Sequence, residues 1–167
     1  QRGLQQDLYH AERKQRSQNG GAKMKVVIIG GVAAGTKTAA KLKREDRSAE
    51  VTLITKSTDI SYAGCGLPYY VGGLIEEREE LVVNTPQKFA ALTGVEVLTG
   101  REAVAVDSAA KTVQAKNLAT GETDDYSYDR LVIAVGASPA ELPVEGMDKQ
   151  GVFKMRTPDD AVAIRSY

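Results

Sequence analysis

The sequence predicts an α/β fold built on a parallel sheet and carrying a small antiparallel β-meander, and three observations lead to that expectation. A β-branched run, KVVIIG at 25–30, ends in glycines and passes into a stretch of strong helix formers, TKTAAKLKRED at 36–46. A second apolar run, VTLIT at 51–55, follows at once, so strand, helix and strand fit within about 30 residues, the size of one right-handed βαβ unit. Farther on, short runs at 101–106, 111–118 and 124–128 are separated by turn-like DSAA and ATGE, the pattern of strands joined by hairpins.

In chain order, residues 1–23 are polar, show no sustained apolar period and close on Asn19-Gly20-Gly21, which reads as a solvated tail or an added extension. Its basic residues Arg2, Arg13, Lys14, Arg16 and Lys23 outnumber Asp7 and Glu12, so an anionic partner is the alternative reading of this segment. After the βαβ unit, Asn84-Thr85-Pro86 supplies an N-cap and an N1 proline for a helix through Leu92, stopped by Gly94, with a strand at 95–98 behind it. LVIAVG at 131–136 returns to the type of strand buried on both faces. Thr157-Pro158-Asp159-Asp160 opens a last helix, its carboxylates suited to the helix dipole. That helix meets the end of the chain without a stop signal, which points to an N-terminal portion of a longer protein.

Composition narrows the function classes. Lys plus Arg and Asp plus Glu are both 22 in a chain of 167 residues, so no global field favours nucleic acid or an acidic membrane, and small-molecule work is expected. No apolar stretch approaches the roughly 20 residues that span a bilayer, and the N-terminus is unlike a signal peptide, so the expected location is cytoplasmic. With 1 Cys and 1 His there is no internal disulfide and no expected metal site.

The turn Gly30-Gly31-Val32-Ala33-Ala34-Gly35 lies between a strand and a helix, the context in which glycines become informative. Amides at a helix N-terminus hold a pyrophosphate where no side chain blocks its approach, so a Rossmann-like dinucleotide site is expected here. Gly30 allows the tight turn and Gly35 close packing, whereas Val32 stands where the fingerprint has glycine. About twenty residues on, where an acidic group often binds ribose, stand Thr55 and Lys56. A hydroxyl binds ribose less strongly than a carboxylate. The other reading is an α/β domain whose glycines serve only packing.

SYAGCGLPYY at 61–70 places the single cysteine between Gly64 and Gly66, in a turn rather than in the apolar run expected of a packing thiol. KVVIIGGVAAG, SYAGCGLPYY and YDRLVIAVGASP, in that order, resemble the flavin-binding start of the pyridine nucleotide-disulfide oxidoreductases. The likeness runs from Met24 to Tyr167 and points to their single-cysteine branch, which includes coenzyme A-disulfide reductases, NADH oxidases and NADH peroxidases. It implies that 24–167 form the N-terminal part of a FAD-binding domain. It also implies that Gly30, Val32, Ala33, Ala34, Gly35, Thr55, Lys56, Ala103, Ala134, Val135 and Gly136 contact FAD. Cys65 is then the redox-active nucleophile at a helix start beside the flavin. The alternative is a buried, inert thiol.

Within that branch, peroxidases and water-forming oxidases carry a His where this chain has Ala33, and the only His, His10, lies in the tail. Disulfide or persulfide reduction is therefore favoured over peroxide chemistry. Lys37, Lys41 and Arg44 share one helix face by their i, i+4, i+7 spacing. The resemblance places them, with Ser61 and Gly64, at the coenzyme A site; a solvated basic face is the other reading. NAD(P)H as reductant, a small-molecule disulfide or persulfide as substrate and a homodimer follow from the resemblance for the full-length protein. Only one strand–glycine–helix motif is present, so a second nucleotide site and a dimerisation region are expected outside this chain. The run EEREE at 76–80 reads as a solvated loop.

Overall fold

The computed structural model describes residues 23–167; the polar tail, with His10 and the basic residues Arg2 to Arg16, lies outside the described residues. β1 (Lys25–Ile29), α1 (Ala33–Glu45) and β2 (Glu50–Ile54) form the expected βαβ unit. β1 pairs in parallel with β2, from Lys25 opposite Glu50 to Ile29 opposite Ile54. A Gly64–Gly66 3-10 turn, α2 (Leu67–Val71), a second 3-10 turn at Arg78–Leu81 and α3 (Pro86–Thr93) follow. β3 (Glu96–Leu98) then joins β2 in parallel.

α3 begins and ends as its sequence dictates. Thr85 Oγ1 accepts from Lys88 N at 3.2 Å, Pro86 fills the first turn, and Gly94 closes the helix at φ +72° with its N–H on Ala90 O.

The meander comprises β4 (Arg101–Asp107), β5 (Thr112–Asn117) and β6 (Thr123–Ser127), an antiparallel sheet with β5 in the middle. β5 alternates as a half-buried strand must: Val113 and Ala115 are fully buried, Gln114 and Lys116 exposed. β7 (Arg130–Ile133) returns to the parallel sheet beside β1, giving the order β3, β2, β1, β7, and α4 (Pro158–Ser166) ends the chain.

After Lys25 the run VVII is apolar throughout because β1 is covered on both faces. Val26 and Ile28 point into one cluster with Ala39 of α1, Val51, Leu53, Phe89 of α3 and Val95. Val27 points the other way, joining Ile54, Val113 and Ala115 against the meander. Three layers result: helices, parallel sheet, antiparallel sheet.

One expectation fails here. LVIAVG is not buried on both faces: pairing stops at Ile133, and Ile133 and Val135 are each 67% exposed. β7 is the edge strand of its sheet among the described residues, so its outer side has no neighbour.

Candidate functional site

β1 delivers the chain into a turn that only glycine fits. Gly30 takes φ +113°, and a Cβ there would lie 2.2 Å from Ala134 O, because the segment leaving β7 crosses directly over the turn. At Gly35 a Cβ would stand 1.8 Å from Gly30 O, so the first turn of α1 rests on the backbone of the glycine turn itself. Val32 is the N-cap, yet no side chain caps α1 and no acidic residue occupies its first turn. Ala33 and Ala34 are exposed and carry only methyl groups. An uncapped helix start, free of bulk and negative charge, is the geometry that receives an anion.

Thr55 sits at the end of β2, buried, its backbone bonded to Leu98 O at 2.9 Å and to Arg101 N at 3.0 Å. Its methyl carbon lies 3.0 Å from where a Gly31 side chain would begin, so Thr55 closes the floor of the turn. Lys56 points outward and pairs with Glu102 at 3.6 Å. Glu102 precedes Ala103, which pairs with Ala115 where a bulge displaces Val104. Ala134 N donates to Ile29 O at 2.8 Å, while Val135 is exposed and Gly136 takes φ +72°.

The cysteine segment is tied to this turn. Ser61 N donates to Gly31 O at 2.9 Å, and Ser61 holds φ +50°, a left-handed conformation that a non-glycine residue rarely adopts. Ser61 O then accepts from Val83 N at 3.0 Å, Tyr62 bridges to Val82, and Ala63 N donates to Leu81 O at 2.7 Å. Residues 61–63 are thus pinned between the glycine turn and the segment 81–83. From that anchorage Gly64–Gly66 turns once and enters α2, leaving Cys65 exposed two residues before the helix. Gly66 is buried on Leu81, whose Cδ2 would lie 3.1 Å from an added Cβ, whereas a Cβ at Gly64 would meet nothing within 4 Å. The two glycines beside the sulfur therefore do different work: one seats the turn, the other leaves its approach open.

On α1, Lys37, Lys41 and Arg44 are all exposed, and Lys41 bonds Glu45 at 2.5 Å. A shallow pocket of 220 Å³ lined by Lys25, Glu50, Thr52 and Asp125 lies at the amino ends of β1 and β2. Ligands of open α/β sheets bind at the carboxyl ends, where the glycine turn and Cys65 segment meet.

Two residues at this end escaped the sequence reading. Arg156 donates from Nε to Ala137 O at 3.1 Å, and its Nη2 lies 3.1 Å from a Cβ built on Gly136, adding a cation beside the strand-to-loop crossing. The only sequence signal is an Arg directly ahead of a helix cap. Arg78 is the second, and it is the exception in EEREE: the four glutamates are exposed as expected of a solvated run, but Arg78 opens a 3-10 turn and is half-buried. Its guanidinium is drawn inward, bonding Asp59 at 2.6 Å and Asp159 at 2.7 Å, and both carboxylates hold it firmly protonated.

α4 carries a full capping box: Asp160 N donates to Thr157 Oγ1, and Asp160 Oδ2 accepts from Thr157 N at 2.7 Å and from Arg156 N at 2.9 Å. Burial pushes the Asp160 carboxyl up, but the bonds from Thr157 and Arg156 outweigh it and hold the group below the ordinary carboxylate range. A depressed carboxyl contributes stability above its unfolded pKa and loses it as pH falls through the folded value. The difference in melting temperature between wild type and Asp160→Asn is therefore expected to be full above about pH 5 and to shrink as pH falls below the ordinary carboxylate range. Thermal unfolding followed by circular dichroism across that range checks it. Beside Asp160, burial raises the Tyr62 phenol above its usual value, Arg156 pulls it back, and Asp160 and Asp59 push it up again.

An open helix start at the carboxyl end of a parallel sheet, with an exposed thiol tied to it, defines a dinucleotide-binding domain of redox type. Comparison with known proteins specifies it: residues 24–167 match the family model "Pyridine nucleotide-disulphide oxidoreductase", and the chain belongs to that family. Members of the family are FAD-dependent and take NAD(P)H as reductant. The chain is 35% identical over 144 residues to an NADH oxidase of Methanocaldococcus jannaschii, covering 86% of this chain and 32% of that protein. It is 34% identical over 143 residues, with the same shares covered, to a coenzyme A disulfide reductase of Staphylococcus haemolyticus. Among solved structures, reduced Bacillus anthracis CoADR-RHD superposes with a TM-score of 0.84 at 34% identity, covering 87% of this chain and 26% of that one. An NAD-dependent persulfide reductase from A. fulgidus gives 0.80 at 40% identity, covering 86% and 26%. The chain thus spans about a third of the length of the curated relatives it matches.

Proposed function

We propose that residues 24–167 are the N-terminal part of the FAD-binding domain of an NAD(P)H-dependent disulfide reductase whose substrate is the disulfide of coenzyme A and whose nucleophile is Cys65. The single observation that carries this reading is the bond from Ser61 N to Gly31 O, which fixes the cysteine segment on the glycine turn.

The residues present fit FAD. The α1 start at Val32, Ala33, Ala34 and Gly35 lacks a side-chain cap and would receive the diphosphate beside Gly30. Thr55, Lys56 and Ala103 would line the adenosine end, and Ala134, Val135 and Gly136 the crossing strand. FAD, when bound, supplies a two-electron relay between NAD(P)H and sulfur. Cys65 attacks one sulfur of the substrate disulfide, a mixed disulfide forms, and one coenzyme A thiolate leaves; two electrons and a proton then release the second thiol and restore the Cys65 thiolate. Gly64 leaves room for the incoming sulfur. Lys37, Lys41 and Arg44, with Ser61, would take the phosphates of coenzyme A, Lys41 exchanging Glu45 for the ligand.

The persulfide reading uses the same thiolate and is favoured by the 40% identity to the A. fulgidus enzyme. Peroxide reduction is disfavoured by Ala33, which offers no proton donor. The complete enzyme is proposed to work as a homodimer in the cytoplasm. Steady-state NAD(P)H oxidation by the FAD-loaded, full-length protein is expected to rise at least about tenfold on adding coenzyme A disulfide. A response to persulfide alone selects the second reading, and a flavoprotein that no disulfide or persulfide stimulates is a redox sensor instead.

A further inference from the structure

Arg78 belongs to a charge run in sequence, yet its side chain is 29% exposed and a single nitrogen, Nη2, bonds two carboxylates on distant segments. Asp59, 16% exposed, lies two residues before Ser61, and Asp159, 77% exposed, lies in the first turn of α4. Arg78 opens the 3-10 turn that ends at Leu81, and a capping box between Glu77 and Glu80 holds that turn. Leu81 is fully buried and is the ledge under the cysteine: its carbonyl accepts from Ala63, two residues before Cys65, and its side chain seats Gly66, one residue after. α4 is anchored independently at its far end, where Arg165 donates to the carbonyls of Ile75 and Glu76 and stacks on Tyr70 at 4.6 Å.

We propose that Arg78 is a positioning residue for Cys65: by tying the Leu81 ledge to Asp59 on one side and to α4 on the other, it sets the height of the sulfur above the glycine turn. This rests on the reading of Cys65 as the nucleophile. A reacting group misplaced by about 1 Å loses up to roughly 100-fold in rate, which is the scale at stake. Because one nitrogen makes both bonds, an ammonium group can replace the guanidinium in part, whereas an apolar residue leaves two carboxylates facing each other without a cation.

The test uses the FAD-loaded, full-length protein with Arg78→Met, Arg78→Lys and Asp159→Asn, the last altering an exposed group so that folding is preserved. Expected for Arg78→Met are a kcat lowered about 10- to 100-fold with KM for NAD(P)H unchanged, and a thiolate-to-flavin charge-transfer absorbance at least about halved per bound FAD. Arg78→Lys should recover most of both, and Asp159→Asn should fall between. Wild-type kcat and absorbance in Arg78→Met overturn the proposal; should that variant fail to fold, wild-type values in Asp159→Asn overturn it. Cys65→Ser run in parallel separates the two readings, since unchanged turnover there sinks the nucleophile assignment and not the clamp. In that event the rate of Cys65 alkylation by iodoacetamide decides the clamp: a rate altered at least about threefold in Asp159→Asn supports it, and an unaltered rate there overturns it.

Discussion

Cys65→Ser is expected to remove disulfide- or persulfide-dependent NAD(P)H oxidation by about 1,000-fold or more, the loss that follows deletion of a nucleophile. The sulfur stands exposed in a turn and belongs to none of the three buried clusters, so its exchange for oxygen costs no packing. Melting temperature and FAD content are therefore expected to match wild type. That combination, full fold and full cofactor with no sulfur chemistry, distinguishes a catalytic thiol from a structural one. Turnover retained in the Ser variant, measured as steady-state NAD(P)H oxidation with coenzyme A disulfide, would remove the basis of the proposed function.

Gly35→Ala tests the other half of the site. A methyl there would lie 1.8 Å from Gly30 O, a backbone atom that cannot swing aside, so either α1 lifts off the turn or the turn opens. The expected cost is about 3 kcal/mol or more, read as a fall of roughly 10 °C in melting temperature, together with loss of FAD. Gly64→Ala is the matched control: no atom lies within 4 Å of its added carbon, and stability is expected to change by less than about 0.5 kcal/mol. Differential scanning calorimetry and the visible spectrum after gel filtration read both variants. Equal stability of the two would show that the glycine turn is not the close-packed joint described above.

Much of this fold was legible in residue order because the relevant physics is local. Short strands rich in β-branched residues, helix formers after a glycine turn, and the caps at Thr85-Pro86 and Thr157-Pro158 each specify a conformation through neighbours within a few positions. The meander was legible for the same reason: Val113 and Ala115 alternate with Gln114 and Lys116. The turn at Gly30–Gly35 was legible as a candidate dinucleotide site because a strand on one side and a helix on the other give glycines a meaning they lack alone.

Other features had no local signature. LVIAVG has the composition of a covered strand, yet β7 takes the sheet edge and Ile133 and Val135 lie open, since composition records what a strand tolerates and not which neighbours arrive. EEREE reads as solvated because four of its five residues are acidic; the exception, Arg78, finds Asp59 and Asp159 at separations of 19 and 81 residues. Ser61 in a left-handed conformation is unmarked in sequence, because the bond to Gly31 that imposes it spans 30 positions.

Residue order alone sufficed for β1, β2, the three meander strands, the caps of α3 and α4, the need for glycine at 30 and 35, and the single thiol set between two small residues. Packing at long range brings Gly31, Ser61 and Leu81 together, seats one glycine beside the sulfur while the other stays open, and turns Arg78 inward. The division has a physical cause. Backbone preference and side-chain periodicity act over a turn or a strand, whereas an ion pair or a crossing contact depends on where three distant segments are brought by the burial of the core.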